Sequence, residues 1–196
     1  MAQLSLFNSG AQVLLDDTSG RIVLIPDLVD RATAQTWFDQ LHEGIAWKAG
    51  RRLMYEREVD VPRLRAHFHS DDPDLPAALR EALAVVATAA NTAFDSIGLN
   101  LYRDQRDSVA PHNDRLADIV RGQPIALLSL GATRRMRIRA KQPPHRRLQV
   151  DLEAGSLLLM SWTTQLHYDH AIPKQRMPVG PRISLAFRVR RGTTAD

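Results

Sequence analysis

The 196 residues contain no cysteine. Disulfides and thiolate-bound metals are therefore excluded, and any metal held by this chain must sit on histidine, aspartate or glutamate. No segment approaches the roughly 20 apolar residues of a membrane span. The start, Met1-Ala2-Gln3-Leu4-Ser5, lacks the basic residues and apolar stretch of a signal peptide. A monomeric cytoplasmic protein with no membrane partner is the expectation. A local absence says more. Between Arg121 and Val150 there is no Asp or Glu, yet there are eight basic residues: Arg121, Arg134, Arg135, Arg137, Arg139, Lys141, Arg146 and Arg147. Such a stretch reads either as a solvated face or as a surface for phosphates. The formal net charge of +4 permits a polyanionic partner without requiring one.

Hydrophobic residues make up 44% of the chain, enough for a packed core. There is no internal repeat or long linker, so one domain is expected over 1–196. Residues 21–26 read as a strand stopped by Pro26. Asp30 is placed to cap a helix running to about Glu43, with Trp37, Phe38, Leu41 and Ile45 at helical spacing. Residues 53–61 are strand-like. A second helix is expected from about Pro76 to Asn91, with Leu79, Leu83, Val86 and Ala90 as its stripe. From Leu99 onward short strand-type runs follow one another, at 99–103, 125–130, 134–140, 148–152, 156–162 and 182–190. Two helices followed by many short strands predict an α+β fold.

The second half also carries ligand-type residues in order. His112 and Asp114 form an H-x-D pair, His170 follows, and then come Arg182 and Arg188. Two imidazoles and one carboxylate suit an open Fe(II) site, because they occupy one face of the metal and leave the remaining positions for reactants. The H-x-D pair alone is a weak signal. His167, three positions before His170, is a rival third ligand. A zinc site using His112, His167 and His170 would give no reason for the downstream arginines. Strand alternation puts Arg182, Ser184 and Arg188 on one face, and Asn100 with Tyr102 on one face of theirs. Such faces are either solvent-exposed or line a wet pocket inside a barrel.

The residues Asn100-Leu101-Tyr102, His112-Asn113-Asp114, Leu128-Ser129-Leu130-Gly131-Ala132-Thr133-Arg134, His170-Ala171-Ile172-Pro173-Lys174 and Arg182-Ile183-Ser184-Leu185-Ala186-Phe187-Arg188 together resemble the AlkB family of Fe(II)/2-oxoglutarate dioxygenases. The resemblance covers about Leu99 to Arg190. It implies a double-stranded β-helix (jelly roll) braced by two N-terminal helices. A core over about 96–192 would follow an extension and substrate lid over about 1–95. It implies Fe(II) on His112, Asp114 and His170, with His167 a neighbour. It further implies 2-oxoglutarate held at its two ends by Arg182 and Arg188, with Asn100, Tyr102 and Ser184 beside it, and O2 as the other co-substrate.

The activity implied is oxidative demethylation of N-alkylated bases in DNA or RNA, a repair function. Alternatives are the same chemistry on a protein side chain or small molecule, and a non-catalytic nucleic-acid-binding relative. Pro62-Arg63 resembles part of the family's nucleotide-recognition lid. The chain differs from the family pattern at Gln105, at Ser184, and at Ala66-His67-Phe68-His69, where a tyrosine-glycine pair is common. Candidate substrate contacts are Arg63, Arg135 and Arg137, with Trp47, Tyr55 and Phe68 as candidate stacking aromatics.

Overall fold

The computed structural model describes residues 10–54 and 57–191. Strands β1 (Gln12–Asp17) and β2 (Gly20–Ile25) form a hairpin. Helix α1 (Arg31–Gly44) precedes strands β3 (Lys48–Met54) and β4 (Arg57–His69). Helix α2 (Ala77–Ala90) follows, and then β5 (Ser96–Tyr102), β6 (Val109–His112), β7 (Ile125–Gly131), β8 (Arg134–Ala140), β9 (Arg147–Leu152) and β10 (Leu157–Met160). A short helix α3 (Trp162–His167) leads into β11 (Tyr168–Ile172), and β12 (Arg182–Arg188) completes the fold. All pairings are antiparallel. One sheet has eight strands in the order β1-β2-β10-β7-β12-β5-β4-β3, and the other has four in the order β6-β11-β8-β9. This α+β jelly-roll arrangement is the one the motifs imply. The larger sheet draws four strands from before residue 96, so the N-terminal half supplies sheet as well as helices.

Helix α1 begins where Asp30 accepts from the backbone N–H groups of Ala32 and Thr33, both at 3.0 Å. Ala34, Trp37, Phe38 and Leu41 lie on its buried face at the spacing of one helical stripe. Helix α2 ends on Asn91, whose left-handed backbone (φ 47°) suits asparagine. The Trp37 indole donates to Glu81 at 2.8 Å and ties the two helices together.

The large sheet separates two cores. On one side, α1 and α2 pack against Ile97, Leu99, Leu128, Leu130, Ile183, Leu185 and Phe187. On the other, Leu127, Ala186, Met136, Ile138, Val150, Tyr168 and Ile172 fill the space between the sheets. Each large apolar side chain so buried contributes about 1.5–3 kcal/mol. Strand β12 is therefore covered on both faces: Ile183, Leu185 and Phe187 point to the helices, and Arg182, Ser184 and Ala186 point between the sheets. The polar face of β12 is interior. Among the described residues no helix is long and apolar enough to cross a membrane.

Candidate active site

His112 ends β6 and His170 lies in β11, and the two residues are direct cross-strand partners. Their ring centroids are 4.4 Å apart. Pro111 fits β6 because β6 is an edge strand, where a missing N–H costs nothing. The Nδ1 of His112 lies 2.9 Å from the Ala110 carbonyl oxygen. A proton on Nδ1 makes that hydrogen bond and leaves Nε2 as the available lone pair. His170 is 7% exposed. Burial, reinforced by the neighbouring His112, pushes its pKa down to about 4, so the ring is neutral at ordinary pH. His167 lies exposed at the end of α3.

Asp114 sits just past β6. Burial alone would raise its pKa, but Arg188 outweighs that, and the carboxyl lies below the usual aspartate value. Arg188 donates to it through Nη2 at 2.8 Å and Nε at 3.2 Å, the planar two-donor pairing. The Asp114 backbone N–H donates to the buried Gln165 side chain at 3.0 Å. Lys141 donates to the Asn113 side chain and to the Gln165 carbonyl, both at 2.9 Å. Among the described residues no three His, Asp or Glu side chains are already closed to metal-binding distances, the Asp114 carboxylate being turned onto Arg188. The donor set of two neutral imidazoles and one carboxylate, on and just past adjacent strands, suits Fe(II).

Arg182 lies deeper, 1% exposed and directly opposite Tyr102 on β5. Its Nη2 donates to the Ser129 hydroxyl at 2.9 Å, while Nε and Nη1 have no partner among the described residues. Burial pushes its pKa down to about 10, so the group remains cationic. A buried cation with two unspent donors is costly unless an anion meets it. A carboxylate is the anion such a guanidinium pairs with most directionally. Ser184 stands between Asn100 and Ser129 across the sheet, so the three form one polar row beside Arg182. Asn100 accepts from Arg63 of β4 at 2.7 Å, which joins β4 to that row.

The sequence-predicted residues divide accordingly. The structure brings together His112, Asp114, His170 and Arg188 as one cluster, and Arg182, Tyr102, Ser184 and Asn100 as another. It does not bring Trp47 there. Trp47 packs on the helix-side core and donates to the His42 carbonyl. Phe68 belongs to the same core, and Tyr55 lies outside the described residues. Arg135 is clamped by Asp151, with both contacts at 2.7 Å. Sequence reasoning missed Gln165, which carries no motif, and read Lys141 only as part of the basic stretch and not as the partner of Asn113 and Gln165. It also missed Ser129, whose signal was its being the one polar side chain in the apolar run 125–130.

A groove of about 1450 Å³ runs over the outer face of the small sheet and reaches His112. It does not include Asp114, His170 or Arg182, which lie between the sheets. Arg63, Arg65, Arg137, Arg139, Arg147 and Lys174 line it, while Asp169 is its acidic residue and stands 3.8 Å from Lys141. Arg139 and Arg147 face each other directly across β8 and β9.

The model of the 2OG-Fe(II) oxygenase superfamily matches residues 21–188. The chain belongs to that superfamily. Relatives of AlkB type are among the proteins it resembles. Alpha-ketoglutarate-dependent dioxygenase alkB homolog 3 of Bos taurus is 31% identical over 187 residues, covering 86% of this chain and 65% of the relative. DNA oxidative demethylase ALKBH2 of Bos taurus is 29% identical over 184 residues, covering 82% of this chain and 66% of the relative. The chain thus spans just under two thirds of the length of these relatives. A prolyl hydroxylase from Trichoplax adhaerens, solved with a peptide fragment of a hypoxia inducible factor, shares the fold. Its TM-score is 0.62 at 13% identity, with 87% of this chain and 84% of that one covered. The family implies Fe(II), 2-oxoglutarate and O2 as the reacting partners of the site.

Proposed function

We propose that this chain is an Fe(II)- and 2-oxoglutarate-dependent dioxygenase that removes N-methyl groups from bases of nucleic acid. The observation that carries the oxygenase reading is the buried Arg182, with two unspent donors, seated in the same sheet as Arg188, which reaches Asp114. Bound Fe(II), with 2-oxoglutarate and dioxygen, supplies the oxidation of a substrate C–H bond; on an N-methyl group the hydroxylated product collapses to amine and formaldehyde.

The residues of the chain do the rest. His112 offers Nε2, because Nδ1 is held by the Ala110 carbonyl. His170 stays neutral and available. Arg188 keeps Asp114 ionised, and Gln165 fixes the backbone of Asp114. Arg182, with Tyr102, Ser184 and Asn100, seats the co-substrate between the sheets. Support of this kind usually costs 10–100-fold in metal affinity or activity when lost.

The nucleic-acid part rests on the groove. Arg65, Arg137, Arg139, Arg147 and Lys174 have no side-chain hydrogen bond or ion pair among the described residues. Like charges directly opposed across strands, as at Arg139 and Arg147, destabilise a sheet unless an anion relieves them. A phosphate backbone laid along this face would do so and would pass beside His112. Affinity for an oligonucleotide is then expected to fall steeply with salt, since each neutralised phosphate releases counterions. Reversing Arg137, Arg139 and Arg147 to Glu flattens the logarithmic salt slope by about 0.7–0.9 per lost phosphate contact. Substrate-free turnover of 2-oxoglutarate stays unchanged in that variant. Arg135→Glu has a smaller effect on the slope, because Asp151 already neutralises Arg135. Fluorescence anisotropy across a salt series measures this, and a slope unaltered by the triple reversal contradicts the groove assignment.

A further inference from the structure

Arg134 is 0% exposed, and among the described residues its guanidinium meets no carboxylate. It donates instead to three backbone carbonyls: Asp104 at 3.0 Å, Asp107 at 2.8 Å and Pro173 at 2.9 Å. Its Nε has no partner among the described residues. The carboxylates of the same loop are engaged elsewhere, Asp104 by Arg106 and Asp107 by Arg103. The Arg134 Cζ lies 5.5 Å from the centroid of the Tyr102 ring, and the Arg182 Cζ lies 5.4 Å from it. Two buried guanidinium groups therefore share one phenol ring. Arg134 lowers the pKa of Arg182 by repulsion, after the larger effect of burial.

This placement has two consequences. Arg134 fastens the loop that leads into β6 to the residue that follows β11, the two strands that carry His112 and His170. Its charge also adds to that of Arg182 at the spot where Arg182 has two unspent donors. A strut alone does not need a charge. A neutral polar side chain can donate to carbonyls, and burying a second cation beside the first raises the cost of the folded state. An anion in the Arg182 pocket would feel both charges.

We propose that Arg134 is a positioning residue that makes the co-substrate pocket selective for a dicarboxylate, its charge acting together with that of Arg182 on the far carboxylate of 2-oxoglutarate. Arg134 does not touch the ligand. It holds the Tyr102 ring and the loop ends in place and strengthens the local positive field in a medium where charges are weakly screened. The proposal rests on the reading of Arg182 as the seat of that carboxylate.

The test compares two ligands on manganese-loaded protein. One is 2-oxoglutarate. The other is 2-oxopentanoate, of the same length but with a methyl group in place of the far carboxylate. Titration gives both affinities and their ratio. In R134M the affinity for 2-oxoglutarate is expected to fall about tenfold, as for a unit charge about 10 Å away at an effective dielectric of about 20. The affinity for 2-oxopentanoate changes little. R134K keeps the charge but not the three-carbonyl fork, and it retains most of the preference for the dicarboxylate. If R134M does not fold, R134K decides alone: loss of the preference overturns the proposal and its retention supports it. Equal loss for both ligands in R134M would mean a purely structural strut, and no change in R134M would mean no role. Either result overturns the proposal. R182M separates it from the reading beneath it. Loss of the preference there supports the seat, whereas an intact preference removes the seat and the proposal with it.

Discussion

His170→Ala abolishes 2-oxoglutarate turnover, read as succinate produced, and His112→Ala does the same. Each substitution removes one of two imidazole lone pairs that nothing else among the described residues replaces. The loss exceeds about 100-fold, the upper end of what removing a mere supporting partner costs. His167→Ala retains most of the activity, because that ring is exposed at the end of α3. Strand parity explains the difference. In β11 the side chains of Tyr168, His170 and Ile172 point between the sheets, and His170 stands opposite His112. Dependence of the wild-type signal on added Fe(II) belongs to the same measurement. An inactive His167→Ala beside an active His170→Ala would reverse the ligand assignment.

Arg182→Lys weakens 2-oxoglutarate binding sharply and lowers the rate at saturation less. The substitution keeps a charge but loses the planar fork. It also leaves the Ser129 hydroxyl without its donor. A charged hydrogen bond typically contributes about 1.5–3 kcal/mol, so the dissociation constant rises about 10- to 150-fold. Titration of the metal-loaded protein with 2-oxoglutarate measures it. An unchanged affinity would mean that the unspent donors of Arg182 do not face the co-substrate.

Much of this was legible in the chain. Helices α1 and α2 follow from a capping aspartate, an apolar stripe and a proline first turn, all of which are local signals. Strands β5, β7 to β10 and β12 follow from short apolar runs between glycines and prolines. Strands β6 and β11 were not legible. Each is short and broken by polar or proline residues, because these are the strands that present His112 and His170. The interior position of Arg182 was also beyond alternation alone. Period two separates faces but does not say which face is covered, and β12 is covered on both. Arg135 and Arg137 look equivalent in the sequence, and only the register of β8 on β9 shows that Asp151 neutralises one and not the other. Phe68 shares a face of β4 with Leu64 and Ala66, which pack against the helix-side core. That parity turns it away from the groove, which Arg63 and Arg65 line.

The central claim is that this chain couples 2-oxoglutarate decarboxylation to demethylation of a base. The direct measurement is to incubate the protein with Fe(II), 2-oxoglutarate and oxygen together with oligonucleotides bearing 1-methyladenine or 3-methylcytosine, and to quantify formaldehyde and succinate together. Formaldehyde is expected in near-stoichiometric amounts with the extra succinate that the methylated strand induces, and none with the unmethylated strand. Robust succinate production with no formaldehyde from any methylated DNA or RNA would contradict it and would move the substrate to a protein side chain or a small molecule.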